Sequence, residues 1–84
     1  MVSALRAAGA LVQDLSGVGR GVPDLLVGIR GQMMLMEVKD GRKPPSARHL
    51  TTEQVKWHAK WAGYPISVVD SAEAALRHLK VLGG

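Results

Sequence analysis

Three charged side chains stand in an otherwise apolar part of the chain: Asp24, Glu37 and Lys39. If Arg30 and Gly31 are the central residues of a tight turn, the flanking segments pair so that Asp24 lies directly opposite Glu37. Residues opposed across an antiparallel pair share one face of the sheet, with Cβ atoms about 4.5–5.5 Å apart. Lys39 projects to that face too, because side-chain direction alternates along a strand. The spacing therefore predicts two carboxylates and an ammonium at one end of a hairpin, provided that the register does not slip.

This set of side chains suits the hydrolysis of a phosphodiester. Two carboxylates can hold a divalent cation such as Mg²⁺ or Mn²⁺, which polarises a phosphoryl oxygen and promotes formation of hydroxide from water. A nearby ammonium can position the attacking water and offset developing negative charge. In the alternative interpretation, Glu37 and Lys39 form an alternating strand edge and Asp24 is an ordinary turn acid after Pro23. The interruption of an apolar hairpin by these charges favours the catalytic interpretation.

The excess positive charge follows the hairpin directly. The chain has 11 Lys and Arg against 7 Asp and Glu, a net charge of +4, and residues 41–60 hold five basic residues against one acid. A polyanion such as DNA is the natural partner of such a segment, because binding releases counterions from the phosphates. The alternative is a solvated basic loop. The candidate DNA contacts are Arg20, Arg42, Lys43, Arg48 and Lys56.

Length and composition restrict the class of protein. A chain of 84 residues predicts a single domain over 1–84. Because the chain has 4% aromatic residues and no Phe, its core is expected to be thin enough to favour a second subunit. The absence of Cys excludes disulfides and thiolate metal sites. No apolar run approaches the roughly 18 residues of a membrane span. We expect a soluble intracellular protein.

Glycines and prolines divide the chain into short elements. The strands are predicted over 10–15, 25–29, 33–39 and 66–69. Helices are predicted over 3–8 and 51–62, with a closing helix capped by Asp70, and the longest loop spans 40–49. The order α-β-β-β-α-β-α predicts an α/β (α+β) domain with one small mixed sheet flanked by helices.

The helix over 51–62 begins with a capping box, in which Thr51 is followed by Gln54. Gln54 and His58 lie within the apolar arc of this helix. Gln54 either reaches the site at the hairpin or is satisfied by the helix's own first turn. His58 is expected to be a core histidine bonded to backbone. Trp57 and Trp61 are expected in the core or in a dimer interface rather than as platforms for nucleic-acid bases.

Three segments carry a resemblance to a known family. They are GVPDLL over 21–26, MEVKDG over 36–41 and LTTEQ over 50–54. Together they resemble the virus-type replication-repair nuclease (VRR-NUC) domain of the PD-(D/E)xK superfamily, and the resemblance covers roughly residues 9–80. It implies a restriction-endonuclease-like α-β-β-β-α-β core. It also implies a homodimeric, Mg²⁺- or Mn²⁺-dependent DNA endonuclease that acts on branched DNA such as four-way (Holliday) junctions during DNA repair. The expected location is then the cytoplasm of a bacterial or phage-infected cell.

The resemblance also implies roles for individual residues. Asp24, Glu37 and the main-chain carbonyl of Val38 would bind the metal, Lys39 would orient or activate the attacking water, and Gln54 would lie beside the site. Members of the family commonly have a further glutamate ligand on the first helix, whereas residues 2–9 contain no acid. Either the metal site has fewer protein ligands, or the natural chain has a longer N-terminus. The first case would suit a catalytically weak DNA-binding or scaffold module, which is the alternative to an active nuclease.

Overall fold

The computed structural model describes residues 1–83. Its helices are α1 Val2–Ala7, α2 Thr52–Lys60 and α3 Ala72–Gly83. Its strands are β1 Leu11–Asp14, β2 Leu25–Ile29, β3 Gln32–Val38 and β4 Ile66–Val69, and a 3-10 turn spans Pro45–Ala47. The α+β class and the order of elements are as predicted. Within the described part of the chain, no helix is long and apolar enough to cross a membrane.

The four strands form one mixed sheet in the order β1-β2-β3-β4. The first three strands pair antiparallel, and β4 joins β3 in parallel. Ile29 pairs with Gln32, so Arg30 and Gly31 are the two turn residues, as predicted. Both turn residues have positive φ, 51° and 78°, as a type I′ hairpin turn requires. This turn determines the register of the whole hairpin.

One face of the sheet carries the hydrophobic core, which α1 and α3 cover. Alternate residues of β2 and β3 point to this face, and Val27 and Met36 at its centre are fully buried. Leu5 from α1 and Leu79 from α3 pack against them. The core is aliphatic, as expected of a chain without Phe.

The N-cap of α3 differs from the prediction. Ala72 is the first helical residue, and the hydroxyl of Ser71 accepts a hydrogen bond from the Ala74 amide at 3.0 Å. Ser71 is therefore the N-cap, and the prediction of Asp70 is wrong. The Asp70 carboxylate instead lies 3.3 Å from Nη1 of Arg48, a partner 22 positions away that local spacing does not indicate.

α2 does not belong to the core. None of its residues, 52–60, is buried, although its amphipathic pattern predicted a covered face. Trp57 is partly exposed, and Trp61, directly after the helix, is 42% exposed. The prediction that the two tryptophans lie in the core is therefore wrong. The alternative, that they lie in a dimer interface, stays a prediction.

Candidate active site

The hairpin register brings two carboxyl groups together at its open end. Asp24 directly precedes β2, and the pairing of Leu25 with Met36 continues to place Asp24 opposite Glu37. Oδ2 of Asp24 accepts a hydrogen bond from the Val38 amide at 2.8 Å. This bond ties the Asp24 side chain to the end of β3. The predicted juxtaposition of the two acids is therefore present.

Glu37 is almost completely buried, with 1% of its surface exposed. Burial raises its pKa to about 8, and the Asp24 carboxyl adds to the increase through a hydrogen bond and like charge. Lys39 and the Val38 amide act on this pKa in the opposite direction. Oε1 of Glu37 has no hydrogen-bond partner among residues 1–83. A buried oxygen without a partner destabilises the fold, and a cation at this oxygen would remove that cost.

The oxygen atoms at this place fit a hard divalent cation. Asp24 and Glu37 offer carboxylates, and the Val38 carbonyl points to the same neighbouring strand as the Val38 amide, as the two groups of one residue do in an antiparallel ladder. Mg²⁺ is commonly held by one or two carboxylates and keeps several waters for the remaining positions. Two carboxylates and one carbonyl are therefore a sufficient protein contribution.

The described residues supply no third acidic ligand. No group of three or more His, Cys, Asp or Glu side chains comes together within residues 1–83. Asp14, the only acid before Asp24, accepts hydrogen bonds from the amide and hydroxyl of Ser16 at 2.7 and 2.6 Å. These bonds lower the pKa of Asp14 and hold its carboxylate next to the start of the exposed glycine-rich loop, residues 16–22. Asp14 therefore does not replace the acid that α1 lacks.

Lys39 is held by an amide from α2. Its Nζ donates to Oε1 of Gln54 at 2.8 Å. The same oxygen accepts from the Thr51 amide at 2.9 Å, while the Thr51 hydroxyl accepts from the Gln54 amide at 3.2 Å. The two interpretations of Gln54 are therefore both correct, because one oxygen closes the capping box and also binds the lysine. The start of α2 and the end of β3 are linked through this atom.

Two glycines permit close contacts beside the site that the sequence analysis missed. Gly21 has a φ of 84°, and a Cβ there would collide with the Glu53 carbonyl in the first turn of α2. Gly41 donates to the Asp70 carbonyl at 3.2 Å, and a Cβ there would come within 2.5 Å of that oxygen. The first contact holds the glycine-rich loop against α2, and the second holds the loop after Lys39 against the end of β4. A glycine in a loop is ordinarily explained by its turn, so neither contact can be inferred from spacing.

The predicted DNA-contacting residues fall into two groups. Arg42 binds the Asp40 carboxylate through hydrogen bonds of 3.1 and 3.2 Å, and Arg48 is paired with Asp70. The remaining three make no ion pair within residues 1–83; they are Arg20, Lys43 and Lys56. Among the described residues, no carboxylate therefore forms a salt bridge with any of these three side chains.

His58 lies one turn beyond Gln54 on the same face of α2. Its ring meets Trp57 edge-on, with centroids 5.9 Å apart and planes at 72°. Its Nε2 is buried and lacks a hydrogen-bond partner in the described residues. The prediction of a core histidine bonded to backbone is therefore wrong.

Comparisons of the chain with models of protein families, with curated proteins and with solved structures found no significant match. The chemistry of the site follows from its own geometry. A buried glutamate with one unpartnered oxygen and the partly buried Asp24 lie next to a lysine that an amide holds in place. Such a site can bind a cation and orient a water molecule beside it.

Proposed function

We propose that this protein is a metal-dependent endonuclease that hydrolyses phosphodiester bonds in DNA. The supporting observation is the buried Glu37 carboxyl, which lies against Asp24 and leaves Oε1 without a partner. Two acids in contact are unfavourable when both are ionised, and a divalent cation reverses that balance. The placement of Lys39 two residues further along the chain, bound to Gln54, adds the cationic group that phosphodiester hydrolysis needs.

Each residue of the site has a separate task in this reaction. When bound, the cation polarises the phosphoryl oxygen and makes water more acidic. Asp24 and Glu37 hold it with their carboxylates, and the Val38 carbonyl adds a neutral oxygen ligand. Lys39 orients the attacking water and offsets the negative charge that develops on the phosphate. Gln54 is a positioning residue, because it restricts the freedom of the lysine side chain.

The resemblance to the VRR-NUC domain supports this function and suggests the substrate. The three segments that carry it contain Asp24, Glu37, Lys39 and Gln54, and these four residues lie at one site. We propose branched DNA, such as a four-way junction, with Mg²⁺ or Mn²⁺ as the cofactor. The five basic residues assigned to DNA contact would hold phosphates outside the reaction.

Cutting a junction requires two incisions, which supports a symmetric homodimer. The sheet face opposite the core provides apolar area for such an interface. Leu11 and Met33 flank Gly28 on that face and are 81% and 63% exposed. This area would also supplement the thin core of a single chain.

A catalytically weak DNA-binding module is the second candidate. The described residues place two carboxylates at the site rather than the three commonly found in the family that the chain resembles. A weaker metal site would lower the rate of cleavage and leave the basic surface unchanged.

The proposal is tested with Lys39→Ala and, as a matched control, Lys80→Ala, which removes an exposed lysine of α3. Labelled four-way junction, flap and plain duplex are incubated with Mg²⁺, with Mn²⁺ or with a chelator. We expect metal-dependent products from the wild type and from Lys80→Ala, preferentially from the branched substrates. Lys39→Ala should cleave at least about 100-fold more slowly while binding DNA normally.

Two results would contradict this. Cleavage by Lys39→Ala at the wild-type rate would refute the assignment of the site. A mobility shift without products from the wild type, with either metal, would favour the DNA-binding module.

A further inference from the structure

The aromatic side chains of this protein lie outside its core. The chain has two Trp, one Tyr and no Phe, and all three rings form one contiguous cluster. Trp57 and Trp61 are stacked, with centroids 5.1 Å apart and planes at 13°. Tyr64 meets Trp61 edge-on at 5.5 Å and is 65% exposed. Aromatic rings are the largest apolar groups available to a small core, so their exposure together indicates a binding surface.

Positive charge lies beside the Trp57 end of this aromatic cluster. A cleft of about 420 Å³ beside Trp57 is lined by Arg20, Lys56 and Lys60, with Glu53 as its one acid. These three cations make no ion pair within the described residues. Flat apolar rings next to cations are complementary to nucleotides, whose bases stack and whose phosphates are negative.

The cluster is close to the proposed site of hydrolysis. Trp57 follows Gln54 by three residues, a rise of about 4.5 Å along α2. Gln54 in turn binds Nζ of Lys39. A DNA strand with its phosphate at Lys39 can therefore continue along α2 to the rings.

We propose that Trp57, Trp61 and Tyr64 form a stacking platform for unpaired bases of DNA. Arg20, Lys56 and Lys60 hold the adjacent phosphates. The identity of the strand as substrate rests on the proposed nuclease function, whereas the binding of unpaired nucleotides does not. The favoured substrates are then those with single-stranded nucleotides next to the scissile bond.

A second copy of this chain is a poorer occupant of the surface. A two-fold interface places the same patch on both sides, so it would bring six cations from two copies of Arg20, Lys56 and Lys60 into one contact. Like charges brought together in an interface repel and weaken the contact. A polyanion, in contrast, is attracted by the same three cations.

The test measures binding without cleavage. Metal-free wild type, Trp61→Ala, Trp61→Phe and Tyr64→Ala are titrated in chelator against labelled oligothymidine of about twelve nucleotides and against blunt duplex. Tryptophan fluorescence should be quenched when the wild type binds the single strand. Trp61→Ala should bind the single strand about tenfold more weakly or worse, because each stacked base contributes strongly to affinity. Its affinity for duplex should change less than about twofold, since duplex bases cannot reach the rings.

Trp61→Phe, which keeps a ring, should recover most of the affinity, and Tyr64→Ala should show a smaller loss. Circular dichroism and the melting temperature verify that each variant is folded. Should Trp61→Ala fail to fold, Tyr64→Ala decides the question.

Equal binding of oligothymidine by the wild type and by folded Trp61→Ala and Tyr64→Ala would overturn the proposal. So would an equal loss for single strand and duplex, or a concentration-dependent dimer that Trp61→Ala dissociates while single-strand binding is unchanged. The proposed nuclease is judged separately. If the wild type does not cleave but Trp61→Ala still loses single-strand affinity, the platform stands and the enzyme does not. If the wild type cleaves and Trp61→Ala binds normally, the platform alone fails.

Discussion

The core face of the sheet and the segment from 37 to 58 differ in whether their buried groups have partners. Beneath α1 and α3, aliphatic side chains such as Val27 and Met36 pack fully, and the start of α3 is capped by Ser71. The segment from 37 to 58 holds every buried side-chain polar atom that lacks a partner among residues 1–83; these atoms are Oε1 of Glu37, Nε of Arg48 and Nε2 of His58. The core face therefore stabilises the fold, while the other region leaves groups available to a ligand at some cost in stability.

Two neighbouring residues provide the sharpest form of this comparison, because Met36 is 0% and Glu37 is 1% exposed. Met36→Ala removes core packing and should lower the free energy of unfolding by about 2–5 kcal/mol. Glu37→Gln should leave stability at acidic pH unchanged, because the amide resembles the protonated acid in shape. Denaturant titration of metal-free protein measures both. Val81→Ala on the exposed side of α3 serves as the control, and a large loss from Glu37→Gln at acidic pH would show that Glu37 is structural rather than a ligand.

The second difference between the two regions is expected in the pH dependence of the free energy of unfolding, because Glu37 titrates and the aliphatic core does not. The folded-state pKa of Glu37 is about 8 against an ordinary value of 4.5, so the folded protein holds this proton more tightly than the unfolded chain. The stability contributed by this group is complete below about pH 4.5 and falls as the pH rises to about 8.

As the pH rises between those values, the melting temperature of the wild type in chelator should therefore fall relative to that of Glu37→Gln. Adding Mg²⁺ at the higher pH should restore it, because the cation replaces the proton and binds the folded state. A parallel pH dependence of wild type and Glu37→Gln would contradict the buried position of this acid. A Mg²⁺ effect that persists in Glu37→Gln would place the metal elsewhere.

A smaller effect is expected where the two regions are joined. Gln54→Ala removes the capping box of α2 and the bond to Lys39, and should cost about 0.5–2 kcal/mol of stability. It should also lower the rate of cleavage without changing metal affinity, because Gln54 contacts the lysine and not the carboxylates. Thr51→Ala is the matched control, since it loses the cap alone. If the two variants cleave equally fast, Gln54 acts through the helix and not through the lysine.

Local signals were sufficient for the hairpin and for the bounds of the four strands to within one residue. The strands over 25–29 and 66–69 have the predicted bounds, and the turn at Arg30 and Gly31 set the register that places Asp24 opposite Glu37. The capping box at Thr51 is likewise present. Each of these depends on residues close together in the chain, for which composition and spacing carry the needed information.

Sequence alone therefore determined the order of elements, the hairpin register and the position of the acid pair. Only the tertiary structure decided that α1 and α3, and not α2, cover the sheet. An amphipathic pattern shows that a helix has an apolar face, but it does not show which surface that face packs against. The tertiary structure also decided that Oε1 of Gln54 accepts two hydrogen bonds, that Arg48 pairs with Asp70 and that the tryptophans are at least partly exposed. These depend on distances between segments far apart in the chain, which are determined only when the whole chain packs.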